Sequence, residues 1–168
     1  LAYHYWLQTG DVSIFGKDWH EAMKLVVRTF KEQQRKESLG SYSFTRDCDR
    51  PTDSQINNGW GAPVKPVGLI VSSFRPSDDA TQYGFLIPSN MFAVVSLRQL
   101  AEIEHKVYKN EAFAGECVAL ANEVDAAIRK YGIFNHPVCG RIYAFEVDGF
   151  GNALCMDDAN VPSLLAAP

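Results

Sequence analysis

The feature of this sequence that most constrains its fold is an apolar stripe between residues 111 and 131. Its members are Phe113, Cys117, Leu120, Ala121, Val124, Ile128 and Tyr131. They recur every three or four residues, which is the period of an α-helix with one face turned to a core. Gly132 follows directly and suits a left-handed helix stop. The spacing therefore predicts a long helix over residues 111–131.

Two further stripes predict two further long helices. One, near residues 18–35, carries Trp19, Met23, Val26, Val27 and Phe30. The other, near residues 88–107, carries Met91, Val94, Val95, Leu97, Leu100 and Ile103. It opens at Pro88, which costs no hydrogen bond because the first amides of a helix have no partner inside it. The chain is expected to be mainly helical.

The segments between these helices are predicted to be irregular, apart from one hairpin. Residues 41–80 are rich in Asp, Asn, Gly, Pro and Ser, although residues 36–59 carry no recognisable motif. A loop this long in a compact domain is usually functional or disordered, and its aromatic residues favour function. Residues 141–147 alternate in polarity as a half-buried strand does, and residues 149–152 resemble a turn. Residues 153–156 would form the second strand of the hairpin. We therefore expect a short β-hairpin near residues 141–156.

Composition limits the class of protein. With 168 residues, 46% of them hydrophobic and 21% charged, the chain is predicted to form one domain with a real core. A net charge of -4 argues against nucleic acid as a partner, because proteins usually bind nucleic acid through a clustered basic surface. No apolar run approaches the roughly 18 residues that span a bilayer. The cysteines are widely separated and the histidines scattered, so no metal site is predicted.

Three short segments combine acids and amides with glycines or aromatic residues. They are residues 74–80, 146–152 and 156–162. Their polar members of interest are Arg75, Asp78, Asp79, Glu146, Asp148, Asp157, Asp158 and Asn160. A few such groups placed together fix the orientation of a bound small molecule. Three such segments in one chain predict a polar, hydroxyl-rich ligand.

These segments, taken in order with residues 85–94, resemble glycoside hydrolase family 125, the metal-independent exo-α-1,6-mannosidases. Residues 1–11 are similar to an earlier helix of that family, so the resemblance runs nearly end to end. Within that family the sequence resembles a fungal-type member. The resemblance implies a mainly α fold that forms part of an (α/α)6 toroid. It also implies an inverting enzyme that removes α-1,6-linked mannose from mannose-containing oligosaccharides of the N-glycan type, without cofactor or metal.

In the resembled family an aspartate is the general acid, and the motif places it at Asp78 or Asp79. We favour Asp78 and expect Asp79 to hold sugar hydroxyls. Adjacent carboxylates repel each other, and Phe74 and Phe85 would desolvate them, so one is expected to stay protonated at the working pH. Arg75 would hold its partner ionised and is a further substrate-binding candidate. The alternative is that both aspartates only cap a turn.

The remaining polar residues leave two interpretations open. Glu146 and Asp148 either lie at a solvated hairpin tip or bind a mannose hydroxyl from that tip. Two interpretations also apply to Asp157, Asp158 and Asn160. They either begin a helix, where the helix dipole stabilises acidic side chains, or face the ligand. All five residues are therefore candidates for substrate binding.

Trp60 lies between two glycines and close to two asparagines. Its indole would suit a stacking wall for a sugar ring, and a plain packing role is equally open.

The chain is expected to be an internal fragment of one catalytic domain, truncated at both ends. It opens at Leu1 inside a helical pattern and stops at Pro168 just after a predicted helix start. The family's general base, a late glutamate, would then lie beyond residue 168, and the chain alone would be inactive. Compartment and oligomeric state stay open. The competing hypotheses are an inactive carbohydrate-binding or scaffold toroid and an α-toroid glycosidase of other specificity.

Overall fold

A computed structural model of the chain describes residues 1–166. Within them, four α-helices dominate: α1 (Ala2–Thr9), α2 (Lys17–Gln33), α3 (Ile87–Ile103) and α4 (Glu111–Tyr131). The strands are short: β1 (Phe85–Leu86), β2 (Ile133–His136), β3 (Gly140–Tyr143), β4 (Glu146–Val147) and β5 (Ala153–Leu154). Two 3-10 turns span Pro51–Asp53 and Leu164–Ala166. The prediction of a mainly helical fold with a short hairpin is confirmed.

The core lies between α3 and α4, and α2 packs against it. The predicted stripe of α4 is buried, with Cys117, Ala121 and Val124 fully inaccessible. Val26 on α2 and Val95 on α3 are exposed instead, because the apolar faces of these helices extend beyond what the described residues cover. An apolar groove of about 680 Å³ remains open between α2 and α3. None of the helices in residues 1–166 is long and apolar enough to cross a membrane.

The third predicted helix ends earlier than its apolar pattern indicates. Regular α-helix stops at Ile103, and a π-helical turn over Glu104–Tyr108 carries the chain to Lys109. Glu104 is fully buried in this turn, and its Oε2 atom lies 3.0 Å from Nε2 of His20 on α2. The ring of Tyr108 stacks on His20 with 4.2 Å between centroids. A π-turn adds a residue to the helical turn, and here it places a polar contact between α2 and the end of α3.

Gly132 ends α4 as predicted, although its conformation differs from the prediction. Its φ is -84°, in the right-handed region, so a left-handed stop is wrong. A β-carbon at this position would lie 2.8 Å from the carbonyl oxygen of Ile128 and 3.0 Å from Cδ1 of Ile87. Glycine is therefore required by the close approach of the Ile128 carbonyl and of the Ile87 side chain, rather than by backbone handedness.

The strands form two separate pairings. In a three-stranded antiparallel sheet, β4 lies between β1 and β5, with Glu146 opposite both Leu86 and Leu154. The predicted hairpin of residues 141–156 is thus correct only for its second half. Strand β3 pairs instead with β2, because the chain leaves the ladder at Ala144 and Phe145, whose backbone groups bond to Gly132, Ile87 and Leu154.

The segment between α2 and α3 is irregular, as predicted, and buried polar side chains hold it in place. The amide of Asn90 accepts from the N–H of Ile70 at 2.8 Å and donates to the carbonyls of Ile70 and Leu86 at 2.9 Å. Gln34 Nε2 donates to the carbonyl of Gly68 at 2.7 Å. These bonds satisfy backbone groups that lack strand partners.

Gly149 and Gly140 provide a matched test of this packing. Both have left-handed φ values, 79° and 71°, but only at Gly149 would a β-carbon meet another chain segment, 2.7 Å from the carbonyl oxygen of Lys65. The conformation alone costs alanine about 1–2 kcal/mol at either site. We expect Gly149→Ala to cost about 1–3 kcal/mol more than Gly140→Ala through overlap with that backbone. Urea unfolding of the two variants measures the difference, and equal losses would contradict the contact.

Candidate active site

Residues 74–80, here called the acidic loop, form a closed turn that carries both predicted catalytic aspartates. Phe74 and Ala80 form an antiparallel bridge, and the N–H of Arg75 donates to the carbonyl of Asp79 at 2.8 Å. At the tip, Asp78 has φ 68°, a left-handed conformation that is uncommon for residues other than glycine. Such strained positions cluster at functional sites. The geometry therefore marks Asp78 as an unusual residue of this loop.

The two aspartate side chains point away from the backbone donors of their own turn. Oδ2 of Asp78 lies 3.5 Å from Nη2 of Arg46, and Oδ2 of Asp79 accepts from the hydroxyl of Ser77 at 3.3 Å. Within residues 1–166 neither carboxylate accepts a hydrogen bond from a backbone N–H. The two aspartates therefore do not cap the turn through such a bond.

The apolar surroundings expected for the aspartates are not found at Asp78, the favoured acid. The Asp78 side chain is 78% exposed. Phe85 is fully buried in strand β1, and Phe74 packs edge-on against Phe44 with 5.1 Å between ring centroids. The prediction that these two phenylalanines desolvate the acid is therefore wrong, because both rings serve the packing of the fold.

Glu146 is placed differently from either sequence interpretation. It lies within β4 rather than at a hairpin tip, and it is fully buried. Its Oε1 atom accepts from Nε of Arg75 at 2.6 Å, and its Oε2 atom accepts from the N–H groups of Gln82 and Tyr83, both at 2.9 Å. This carboxylate is occupied by protein donors and joins the acidic loop to the three-stranded sheet.

Asp148 shapes the turn between β4 and β5. Its side chain accepts from the N–H of Phe150 at 2.8 Å, the N–H of Asn152 at 3.1 Å and Nδ2 of Asn152 at 2.6 Å. Burial opposes the charge on this carboxyl, but these hydrogen bonds together outweigh it, so the pKa of Asp148 is lowered. The turn they stabilise presents Phe150 with 62% of its surface exposed.

The third polar segment also has partners of its own. Asp157 accepts from the N–H groups of Leu164 and Leu165, each at 2.9 Å, and so begins the final 3-10 turn. Asp158 accepts from the N–H and side-chain amide of Asn160 at 2.9 and 3.0 Å. The hydroxyl of Ser77, followed by the N–H of Asn160, lowers the pKa of Asp158. Ser77 of the acidic loop thus lies near Asp158.

The acidic loop is bonded to the second segment through Arg75 and Glu146, and its Ser77 lies near Asp158 of the third segment. This region is not a cavity, however. The apolar groove between α2 and α3 and a second hollow of about 600 Å³ beside Asp157 both exclude the two catalytic candidates. Trp60 is half-buried on a separate turn. Within residues 1–166, no three His, Cys, Asp or Glu side chains are grouped to hold a metal ion.

Several residues that the fold holds in place escaped sequence analysis. Arg46 comes from the segment without a motif and pairs with the exposed aspartate. Gln55 Nε2 and Thr81 Oγ1 donate to the backbone carbonyls of residues 73 and 72, which fixes the approach to the loop. Arg35 is buried with φ 54°, makes no ion pair within residues 1–166, and has a pKa lowered by burial. The sequence signals these contacts only through several Arg and Asp residues between positions 46 and 53. It does not reveal which of these charged side chains form ion pairs.

The whole chain is similar to one enzyme family. The family model for metal-independent α-mannosidase (GH125) matches residues 1–168. The meiotically up-regulated gene 157 protein of Schizosaccharomyces pombe is 39% identical over 177 residues, and the match covers 100% of this chain and 35% of that protein. The chain thus has a fungal relative, in line with the expected fungal-type character.

A solved structure extends the similarity to the fold. It is a Streptococcus pneumoniae protein described as a metal-independent α-mannosidase, in a non-productive substrate complex with α-1,6-mannobiose. The TM-score is 0.93 at 42% identity, over 98% of this chain and 39% of that chain. The chain therefore spans little more than a third of the length of either relative.

The lowered pKa of Asp148 predicts a pH-dependent contribution to stability. Because the folded-state pKa lies below the ordinary value of 3.8, the ionised carboxylate stabilises the fold above that pH, and the benefit is lost as the pH falls through the lowered value. We expect Asp148→Asn to cost about 1–2 kcal/mol at neutral pH. The difference from the parent should shrink in acid, as measured by urea unfolding at several pH values.

Asp49→Asn is the control for this experiment, because Asp49 is exposed and makes no hydrogen bond through its side chain within residues 1–166. A constant difference between Asp148→Asn and its parent down to acidic pH would contradict the assignment.

Proposed function

The chain belongs to the metal-independent α-mannosidase family GH125, and we propose that the protein containing it hydrolyses terminal α-1,6-linked mannose of N-glycan-type mannosides. The proposal is supported above all by the close structural match to a relative that holds α-1,6-mannobiose. An aspartate pair on the acidic loop, of which Asp78 is exposed and left-handed, gives it a chemical basis. Such a reaction needs no cofactor.

The proposed chemistry is that of an inverting glycosidase. One protonated carboxyl donates to the leaving oxygen while a second carboxylate activates water on the other face of the sugar, about 6.5–9.5 Å away. We assign the acid to Asp78, whose carboxyl stands clear of its own turn, and a sugar-holding role to Asp79. The base is a glutamate from outside residues 1–168. Residues 1–168 alone would then be inactive, because the attacking water lacks its base.

The proposed sugar contacts are the polar side chains predicted from the sequence, other than Glu146, whose carboxylate is already occupied by protein donors. Arg75 belongs to the acidic loop and Asp158 lies near it, while Asp148, Asp157 and Asn160 already make hydrogen bonds within turns. Trp60 offers an aromatic face that stays half-exposed. These groups would bind hydroxyls around a mannose, and the long helices would form part of an (α/α)6 toroid that the rest of the protein completes.

Replacing the proposed acid should abolish most turnover without abolishing binding. We expect Asp78→Asn in the complete protein to lower kcat on α-1,6-mannobiose by about 10²–10⁴-fold, the usual contribution of general acid catalysis. Asp47→Asn is a matched control, because it removes another exposed carboxylate of the long irregular segment. A loss seen only with Asp79→Asn would transfer the acid role to Asp79.

Substrate choice and metal dependence separate the competing functions. We expect the complete protein to hydrolyse α-1,6-mannobiose at an unchanged rate in the presence of a chelator, and to leave α-glucosides intact. Product release followed by chromatography measures both. Binding of mannobiose without turnover would favour an inactive carbohydrate-binding toroid, whereas turnover of α-glucosides would indicate another specificity. Inhibition by chelator would contradict the metal-independent reaction.

A further inference from the structure

The carboxylate of Glu146 is the most completely enclosed acid near the acidic loop. It is 0% exposed and receives three donors, from Arg75 Nε, Gln82 N and Tyr83 N, at 2.6, 2.9 and 2.9 Å. Removing a carboxylate from water costs several kcal/mol unless its oxygens are paired and hydrogen-bonded. The three donors pair and hydrogen-bond both oxygens of the Glu146 carboxylate, which offsets this cost. A sugar hydroxyl could reach Glu146 only by displacing one of them.

The three donors come from both ends of one chain segment. Arg75 precedes the aspartate pair, and Gln82 and Tyr83 follow it. One buried carboxylate therefore fixes the two ends of residues 75–83 to strand β4, which is itself paired on both sides. The exposed tip with Asp78 is carried between these two fixed points.

Arg75 is held by only one edge of its guanidinium group. Nε donates to Glu146, and Cζ lies 5.7 Å from the centroid of the Phe145 ring. Within residues 1–166 neither Nη atom donates a hydrogen bond, and the side chain keeps 12% exposure. An arginine has five donors in a rigid fork. Its outer edge is thus oriented and open.

The pairing also cancels the charge that Arg75 would otherwise present. An uncompensated guanidinium favours carboxylate or phosphate ligands, whereas a guanidinium paired at 2.6 Å with a buried carboxylate offers donors with little net charge. Such donors match a neutral hydroxyl group. The contact therefore bears on which ligand class the site accepts, as well as on where the loop lies.

We propose that Glu146 is a positioning residue that fixes Arg75 and the acidic loop, so that the Nη edge of Arg75 meets a neutral sugar hydroxyl as a charge-compensated donor. This inference rests on the proposed function for the identity of the sugar. Its test includes a readout that does not need turnover.

Glu146→Gln is the sharpest variant because it preserves size and removes the charge. Whichever way its amide turns, an NH₂ group faces either Arg75 Nε or the two backbone N–H groups. We expect kcat/KM on α-1,6-mannobiose to fall about 10²-fold in the complete protein, the usual cost of a small misplacement of reacting groups. We also expect Glu146→Asp to recover part of that loss.

The charge argument is tested with inorganic phosphate. Glu146→Gln leaves Arg75 uncompensated, so phosphate should raise its Tm by about 2 °C or more while leaving the parent unchanged. If the folded variant shows no such rise, the charge compensation is refuted, whatever the enzyme's activity. A parent active on mannobiose together with an equally active Glu146→Gln variant would overturn the positioning role and leave the proposed function standing.

Arg75→Lys covers the case in which Glu146→Gln fails to fold. Lysine keeps the ion pair with Glu146 but lacks the outer fork, so we expect mannobiose affinity to fall about tenfold with Tm nearly unchanged, measured by calorimetry. Arg98→Lys is the matched control, because Arg98 pairs with Asp125 at 3.5 Å on the surface. Unchanged mannobiose binding by Arg75→Lys would overturn the contact between Arg75 and the sugar.

Discussion

The structure depends on buried polar side chains that take the place of secondary structure between α2 and α3. Roughly fifty residues there form no extended helix or sheet, yet their backbone N–H and C=O groups still need partners once water is excluded. Asn90, Gln34 and Glu146 supply those partners from the regular elements on either side. Each of the three side chains is almost inaccessible to solvent. The route of the irregular chain is therefore set by a few hydrogen bonds, and with it the position of the acidic loop.

This arrangement separates a buried part of the candidate site from a more exposed part. Glu146 and strand β4 are buried and bonded, whereas Asp78 lies on the loop tip with 78% of its side chain exposed and Asp79 beside it is partly exposed. The left-handed φ of Asp78 persists because the bridge between Phe74 and Ala80 closes the loop around it. Strain of about 1–3 kcal/mol is tolerable only where the surroundings fix the backbone. Rigidity below the tip thus permits an unusual geometry at the tip.

The sequence predicted the long helices well and the short elements poorly, for one physical reason. A stripe of seven apolar residues specifies period, face and length together, so the predicted bounds of α4 agree with residues 111–131. A strand of two residues has no period, and β1 left no signal of its own. Gly132 was recognised as a helix end but assigned the wrong cause, since the space for a side chain is limited by the Ile128 carbonyl of the preceding turn and by Ile87, 45 positions earlier. Glu146 shows the same limit at the site, because a sequence reveals a carboxylate but not which donors enclose it.

The exposure of Asp78 links substrate binding to proton donation in the proposed mechanism. A carboxyl that is to give its proton to a glycosidic oxygen must be kept protonated by removal from water. The described residues leave the Asp78 side chain 78% exposed. Desolvation must therefore come from the bound sugar and from parts of the protein outside this chain. It follows that the acid becomes competent only when the site is filled, so a mannoside that contacts the acidic loop would help to create the donor that cleaves it.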